Sequence, residues 1–303
     1  MKNFQYVAAR TVDEAVEALA TSKGPARPIA GGTDLIVQLT EGRREVDRVV
    51  GLEGVPEVRR ISFDADGGLR LGAAVPCAQV YRNLAIRRNF PMLVESTSLI
   101  GSVQVQSRAS VGGNLCNAAP SADSVPSLIC LGAVAVIAGP NGMRTVPVES
   151  FCTGPGTTVL EKGELLVELV IPPPGSHEGS HYQRFIPRNE MDIAVVGVGA
   201  LVRVNPESNV VTHARIALGA VAPTPLRVPE AEAALVGREV SRDAIEEAAA
   251  IAQGAARPIT DVRGSAEYRR HLVGVLVRRT LLAALQRAGV NTAMISGGVA
   301  VDR

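Results

Sequence analysis

The chain has 303 residues, of which 46% are apolar, 20% are charged and only 3% are aromatic. Its 31 basic and 30 acidic residues leave a net charge of +1, which argues against binding to nucleic acid or to an anionic membrane surface. The length and the apolar content indicate a globular protein of two or three domains. Because the N-terminus lacks a signal-peptide pattern and no apolar run could span a bilayer, we expect a cytoplasmic protein.

The N-terminal segment reads as a small α/β unit. Thr11 and Glu14 form a capping box at the start of an amphipathic helix. A short strand over residues 27–30 then runs into the pair Gly31-Gly32, and we expect Thr33 to cap the helix that follows. A strand, a glycine turn and a helix start together present unpaired amide N–H groups to an anion.

A second unit, rich in hairpins, follows this segment. Residues 57–75 and 134–148 each read as two strands joined by a glycine-containing turn, with helical stretches between them. Among those stretches lies ASVGGNLCNAAPSADS, residues 109–124, which we interpret as a second glycine loop. Three prolines at residues 172–174 cannot continue a sheet and mark the best candidate linker.

The last part of the chain reads as strands first and helices second. Three apolar strands, the last two joined by a turn at residues 206–209, precede three helices. An apolar stripe predicts that one face of the third helix packs on a sheet, whereas the arginine pairs 269–270 and 278–279 read as its solvated face. This order predicts an α+β domain with helices on one face of an antiparallel sheet.

No constellation of catalytic or metal-ligating residues emerges from the sequence. The four histidines stand apart from one another, and the four cysteines form no CxxC pair. Cys116 lies in the second glycine loop but has neither a partner cysteine nor an adjacent base, so it reads as a packing residue.

The two glycine loops instead fit a large ligand with two phosphates, held mainly by backbone amides. Short neutral side chains in both loops can donate further hydrogen bonds without adding charge; they are Thr33, Ser110, Asn114 and Asn117. Asp123 differs from them, because a carboxylate repels phosphate. We therefore expect it to accept a hydrogen bond from a ribose or ribityl hydroxyl.

Five stretches carry a family resemblance: AGGTDL, ASVGGNLCNAAPSADSVPSLICLGA, GPGTTVLEKGELLVEL, MDIAVVGVGALV and IALGAVAPTPLR. In this order they resemble the FAD-binding medium subunit of the molybdenum hydroxylases, the family of the xanthine, carbon monoxide and nicotinate dehydrogenases. The similarity runs from about residue 1 to residue 288, and the two glycine motifs are its most specific part.

The resemblance implies an α+β fold in which a two-subdomain FAD-binding domain of the vanillyl-alcohol oxidase (PCMH) type precedes a C-terminal α+β domain with an antiparallel sheet and helices. Subdomain 1 would cover residues 1–55 and subdomain 2 residues 56–175. A C-terminal domain of the CO dehydrogenase flavoprotein type would cover residues 176–290, with a tail at 291–303.

The resemblance also implies which residues contact FAD, and it implies no catalytic side chain and no metal ligand in this chain. The two loops would contact the pyrophosphate, and the remaining positions would contact the sugar, the isoalloxazine ring or an apolar pocket. The first loop comprises Arg27, Pro28, Ile29, Ala30, Gly31, Gly32, Thr33, Asp34 and Leu35. The second loop comprises Ala109, Ser110, Val111, Gly112, Gly113 and Asn114, and Asn117 and Asp123 would contact the sugar. Ile100 and Gly101 would lie beside the ring, Leu166 in the apolar pocket and Arg184 near the flavin.

The implied function is electron transfer within a complex. A large subunit would carry the molybdopterin cofactor and hydroxylate the substrate, and a small subunit would pass electrons through two 2Fe-2S clusters to FAD in this chain. The flavin would then reduce an external acceptor, and the complex is expected to be a dimer of heterotrimers. Because the cysteine-bearing insertion of the 4-hydroxybenzoyl-CoA reductase type is missing, no iron–sulfur cluster is expected in this chain.

Two alternatives remain open at this point. A self-sufficient FAD-dependent oxidoreductase of the same fold would need a substrate-facing acid or base, and the sequence offers no clear candidate. A scaffold module that has lost its cofactor would not need two intact glycine motifs. Copurification separates the three cases. An electron-transfer subunit would copurify with molybdopterin and 2Fe-2S partners, a self-sufficient oxidoreductase would carry flavin alone, and a scaffold module would carry no cofactor.

Overall fold

The computed structural model describes residues 2–188, 191–293 and 295. Its N-terminal part, which we call the parallel unit, consists of β1 (Gln5–Ala8), α1 (Val12–Ala20), β2 (Ala26–Ile29), α2 (Leu35–Thr40) and β3 (Arg48–Gly51). Both β1 and β2 pair in parallel with β3, which lies between them. Thr11 caps α1 as expected, since its Oγ1 accepts from the backbone N–H of Glu14 at 3.1 Å.

The middle of the chain, which we call the antiparallel unit, is built on a five-stranded sheet. The two predicted hairpins are present, and the strand of residues 165–171 joins them in the middle of the sheet. The elements are β4 (Ile61–Asp64), β5 (Gly68–Gly72), α3 (Cys77–Arg82), α4 (Leu84–Asn89), α5 (Pro91–Ser98), α6 (Val103–Gln106), α7 (Val111–Asn117), α8 (Ser124–Cys130), β6 (Val134–Gly139), β7 (Gly142–Pro147), β8 (Cys152–Gly154), β9 (Thr157–Thr158) and β10 (Leu165–Ile171). The sheet order is β4-β5-β10-β6-β7, and β8 and β9 form a separate small ribbon.

The rest of the described chain, which we call the C-terminal unit, has the predicted strands-then-helices order. It consists of β11 (Glu178–Phe185), β12 (Val196–Val204), β13 (Val211–Gly219), β14 (Leu226–Arg227), α9 (Pro229–Ala233), α10 (Arg242–Ala255) and α11 (Ala266–Arg287). The four strands form an antiparallel sheet in chain order. The apolar stripe of α11 is buried, and α11 packs on β11 and β12 and against α10.

The C-terminal unit is seated on the helices of the antiparallel unit. Helix α8 packs against β12 and β13, and α5 packs against β11. Every residue of α8 is buried as a result. This packing brings β11 next to the start of α8, and that contact places residues of two units in one site.

Three sequence-based expectations about local structure are wrong. Helix α2 begins at Leu35 with Asp34 at its N-cap, and no side chain caps it, so Thr33 does not take that role. The second glycine segment is helical over α7, because Ser110 supplies a cap that offsets the poor helix propensity of two glycines. Arg269 is only 3% exposed, because Asp261 neutralises it within the fold.

Within the described ranges, no helix combines the length and the apolar character needed to cross a bilayer. Of the expected tail at residues 291–303, the structure describes 291–293 and 295 alone. The remainder of that tail lies outside the described residues.

Candidate functional site

A cleft of about 1220 Å³ opens between the parallel and antiparallel units, and the C-terminal unit contributes part of its wall. Pockets for small ligands typically measure about 300–1,000 Å³, so this cleft has room for a ligand of dinucleotide size. All the site residues assigned by resemblance, apart from Val111, line it.

Val111 is the exception, because it does not line the cleft. Its side chain is 1% exposed and packs in the core of the antiparallel unit. Leu115, one helical turn later on the same face of α7, is fully buried in the same core. The face of α7 that carries Val111 therefore points away from the ligand cleft.

The first glycine pair brings the two units together. A Cβ atom added to Gly31 would overlap the backbone carbonyl of Arg108, the residue just before the second motif. Gly32 adopts a φ of +74°, a left-handed conformation that glycine adopts without a steric penalty. The chain thus turns tightly at the end of β2 and holds the first motif directly against the second.

The second glycine pair lies in the first turn of α7, where Ser110 Oγ accepts from the N–H of Gly113 at 3.0 Å. A Cβ atom on Gly112 would lie 2.5 Å from the carbonyl oxygen of Ala73, so this glycine permits close backbone packing. A Cβ atom on Gly113 would meet only Ser110 Oγ within 4 Å and would otherwise occupy open space at the cleft. Each pair therefore has a first glycine that packs the protein, and Gly113 leaves backbone exposed to a ligand.

Two asparagines of α7 are held in place by hydrogen bonds. Asn114 Oδ1 accepts from the hydroxyl of Ser124 at 2.7 Å. Asn117 Oδ1 accepts from Nε2 of Gln38 at 3.1 Å, and both of these side chains line the cleft. The second bond links the parallel unit to the antiparallel unit. Sequence reasoning missed Gln38 because a polar residue on a short helix carries no distinguishing pattern.

Asp123 joins the antiparallel unit to β11. Its Oδ1 accepts from the Tyr182 hydroxyl at 2.8 Å and its Oδ2 accepts from Nη1 of Arg184 at 2.6 Å. Burial raises the pKa of Asp123 to about 6, although Arg184 and Tyr182 oppose that rise. Tyr182 was not predicted, but Tyr182 and Arg184 are two apart on a strand and thus face the same side, which is a usable signal.

Several cationic side chains line the cleft, and of these only Arg27 and Arg184 were expected from the sequence. Burial and the nearby charge of Arg44 lower the pKa of Arg27. The further cations at the cleft are Lys23, Arg43 and Lys162. Charges that follow a helix end look like ordinary surface residues in a sequence, so only the fold shows that they converge here.

The cleft contains no activated thiol. Burial raises the pKa of Cys116, which lines the cleft, to about 12, and the neighbouring Cys152 adds to the rise. A thiol with such a pKa is almost entirely protonated near neutral pH and is a poor nucleophile. Across the described part of the chain, no group of three or more histidine, cysteine, aspartate or glutamate side chains is arranged to hold a metal ion.

Comparison with known families identifies both halves of the chain. Residues 2–174 match the family described as the FAD binding domain in molybdopterin dehydrogenase. Residues 181–284 match the CO dehydrogenase flavoprotein C-terminal domain. The first match alone covers more than half of the chain.

Individual relatives match over nearly the whole length. The xanthine dehydrogenase FAD-binding subunit of Escherichia coli O157:H7 is 33% identical over 285 residues, which cover 94% of this chain and 97% of that relative. The carbon monoxide dehydrogenase medium chain of Hydrogenophaga pseudoflava is 32% identical over 284 residues, with 94% and 98% covered.

Solved structures agree. Carbon monoxide dehydrogenase from Hydrogenophaga pseudoflava superposes with a TM-score of 0.90 at 32% identity, covering 94% of this chain and 98% of the matched chain. Quinoline 2-oxidoreductase from Pseudomonas putida 86 superposes with a TM-score of 0.88 at 30% identity, covering 96% and 100%. The expected α+β fold class and the FAD-binding domain are thus confirmed. The chain belongs to the FAD-binding medium subunits of the molybdenum hydroxylases, a family of oxidoreductase subunits.

Proposed function

We propose that this chain takes electrons from 2Fe-2S clusters in a small partner subunit and passes them, through FAD bound in the cleft, to an external acceptor. A large partner subunit would carry the molybdopterin cofactor and the substrate. The observation that carries the proposal is the cleft itself, which is lined by both glycine motifs and by residues of all three units. Membership of a family of multisubunit dehydrogenases supports the partners.

The residues present fit FAD. Its pyrophosphate is anionic, and the cleft offers the exposed backbone at Gly113, whose N–H is itself held by Ser110 Oγ, together with the cations Arg27 and Arg44. The Cβ position that Gly113 leaves empty gives a phosphate group space to lie close to the backbone in the first turn of α7. Ile100 and Leu166 provide apolar wall for a planar ring.

FAD, when bound, supplies the redox chemistry. The chain's own residues bind and orient it: residues 27–35 and 109–114 at the pyrophosphate, and Asn117 at the sugar. The Gln38 bond to Asn117 holds the two units together at the cleft. We also propose cofactor contacts for Gly101 beside the ring and for Arg184 near the flavin.

We retain the expected domain division at residues 55, 175 and 290 as part of the proposal. In support of it, β3 ends at Gly51 and the antiparallel sheet begins at Ile61. Residues 172–177, between β10 and β11, contain no helix or strand. We further propose that the chain works in a cytoplasmic dimer of heterotrimers. The names of the relatives above, a FAD-binding subunit and a medium chain, support its being part of a multisubunit complex.

Reconstitution of the complex with and without this chain tests the proposed function. Substrate should reduce the 2Fe-2S clusters in both preparations, and the clusters should pass electrons to an added acceptor rapidly only when the chain and its FAD are present. Equal acceptor reduction by the preparation without the chain would contradict the proposal. Substrate oxidation by the isolated chain with FAD would favour the self-sufficient oxidoreductase instead.

A further inference from the structure

We propose that an exposed apolar patch beside the cleft is the surface on which the small 2Fe-2S subunit docks. The patch consists of Met191, Ile193, Ile259, Val262 and Tyr268, and we call it the rim patch. The proposal rests on the proposed function, since it assumes that a 2Fe-2S subunit delivers electrons to FAD in the cleft. It adds to that function the surface of this chain that the electron donor contacts.

The rim patch exposes large apolar side chains to an unusual degree. Val262 is 98% exposed and Ile259 is 70% exposed, so the described chain covers very little of either residue. The other three residues of the patch are also exposed. Apolar residues scattered singly over a surface are ordinary, whereas a contiguous group of them marks an interaction site.

A buried arginine joins the two loops that carry most of the rim patch. Nη2 of Arg269 donates to Asp261 Oδ1 at 2.6 Å, and its Nη1 donates to the backbone carbonyl of Val195 at 2.9 Å. The loops at residues 191–195 and 259–264 therefore lie side by side over this arginine.

A tight turn presents Val262 to solvent. Asp261 and Gly264 exchange two backbone hydrogen bonds of 3.2 Å, which leaves Val262 and Arg263 at the tip of the turn. A Cβ atom on Gly264 would lie 3.3 Å from the Tyr268 ring, so this ring lies against the same turn. Because these contacts fix the patch in the free chain, docking costs little conformational entropy.

The rim patch is continuous with the ligand cleft. Met191 and Ile193 line the cleft, whereas Ile259, Val262 and Tyr268 do not, so FAD in the cleft would leave the latter three uncovered. A partner seated on them lies beside the cofactor site, which is where an electron donor to FAD has to be. The large subunit, which would hold the substrate, has no such need to reach the flavin.

The charges beside the rim patch favour an acidic partner. Nε of Arg188 and Nε of Arg263 each lie 3.6 Å from a carboxylate oxygen of Asp192. Among the described residues the two arginines thus share one carboxylate, which leaves one positive charge over, and the side chain of Arg188 is 69% exposed. A 2Fe-2S cluster held by four thiolates carries net negative charge, so the surface of the small subunit near its cluster complements this rim.

The test measures binding of the small 2Fe-2S subunit to the full-length chain loaded with FAD, and the rate at which the reduced clusters reduce the flavin. Val262→Asp places a carboxylate in the apolar surface and opposite an acidic partner. It should therefore raise the Kd at least about tenfold and slow flavin reduction when the small subunit is limiting. Bound FAD per chain should stay unchanged, because Val262 does not line the cleft.

Leu84→Asp is the matched control. Leu84 is 76% exposed, but it lies in α4 and does not line the cleft. Its substitution introduces the same charge and should leave the Kd and the rate of flavin reduction unchanged. Equal losses in both variants would overturn the inference, because they would show a general effect of added charge.

Arg188→Gln tests the contribution of charge. It should lower the association rate constant of the small subunit and make that rate less dependent on salt. Wild-type binding by both Val262→Asp and Arg188→Gln would overturn the inference and leave the proposed function standing, and so would a loss of binding to the large subunit alone. If the small subunit neither binds the wild-type chain nor reduces its FAD, the proposed function fails, and the inference with it.

Discussion

Gly112 and Gly113 are neighbours, but alanine at these two positions should have opposite consequences. At Gly112 a Cβ atom would lie 2.5 Å from the carbonyl oxygen and 2.6 Å from the Cα of Ala73. Carbon contacts are optimal near 3.5–4.0 Å, so roughly 1 Å of movement is needed. Ala73 cannot move easily, because its N–H donates to Val167 in the central strand of the sheet at 2.9 Å.

The expected cost follows from that overlap. Overpacking a core typically costs about 1–3 kcal/mol, and a clash with sheet backbone belongs at the upper end of this range. At roughly 2–4 °C per kcal/mol, Gly112→Ala should lower the Tm of the cofactor-free chain by roughly 6–12 °C. Gly113→Ala meets only Ser110 Oγ at 3.0 Å and gains up to about 1 kcal/mol of helix propensity, so its Tm should stay close to that of the wild type.

For FAD binding we expect the larger effect from Gly113→Ala rather than from Gly112→Ala. The added methyl group at residue 113 would occupy open space at the cleft beside the first turn of α7, where we propose that the pyrophosphate lies, so FAD affinity should fall at least about tenfold. Differential scanning fluorimetry of the cofactor-free chain and fluorescence titration with FAD measure the two effects separately. Equal losses of Tm in both variants, or wild-type affinity in Gly113→Ala, would refute this assignment of the two glycines.

Three further expectations follow from contacts outside the glycine motifs. Burial opposes ionisation of Glu95, but hydrogen bonds from His181 and Arg287 outweigh burial and lower the pKa of Glu95. Glu95→Gln should therefore be less stable than the wild type near pH 7, and denaturant titrations should show this difference vanishing as the pH falls below about 4.5. A difference that stays constant with pH would contradict this. Arg269→Met should lower the free energy of unfolding, measured in urea, by about 2–4 kcal/mol, because two backbone carbonyls and Asp261 lose a buried donor. An unchanged free energy of unfolding would count against this hydrogen-bond network. Gln38→Ala should speed FAD release in a stopped-flow chase without changing the Tm of the cofactor-free chain by more than a few degrees; unchanged release would mean that its bond to Asn117 does not retain the cofactor.

The sequence predicted those elements whose signals are local. Alternating apolar residues and turn glycines located the hairpins, and the apolar stripe of α11 located the face that packs on the C-terminal sheet. The glycine segment at α7 was misread, because two glycines argue against a helix on propensity, while the cap at Ser110 and packing on Ala73 favour one. Local pattern could not reveal tertiary packing of this kind.

The site likewise combines features that local sequence reveals with features that only tertiary packing reveals. Both glycine motifs and nearly every assigned residue could be placed at the cleft from sequence and resemblance. The Asp123 bonds to Tyr182 and Arg184 join residues about 60 positions apart, so no spacing rule reveals them. Arg269 reads as a surface residue until the loop carrying Asp261 folds over it. What sequence alone missed are polar pairings between units, which depend on how the units dock.

If the cleft holds FAD, the purified chain should bind it, and the most direct measurement is the identity and amount of flavin that the chain binds. The chain should be titrated with FAD and with FMN, and the bound flavin then released with acid and quantified by chromatography. We expect about one releasable FAD per chain, with FMN binding more weakly because it cannot span both glycine motifs. A folded chain that binds neither flavin would show that the cleft is not a flavin site.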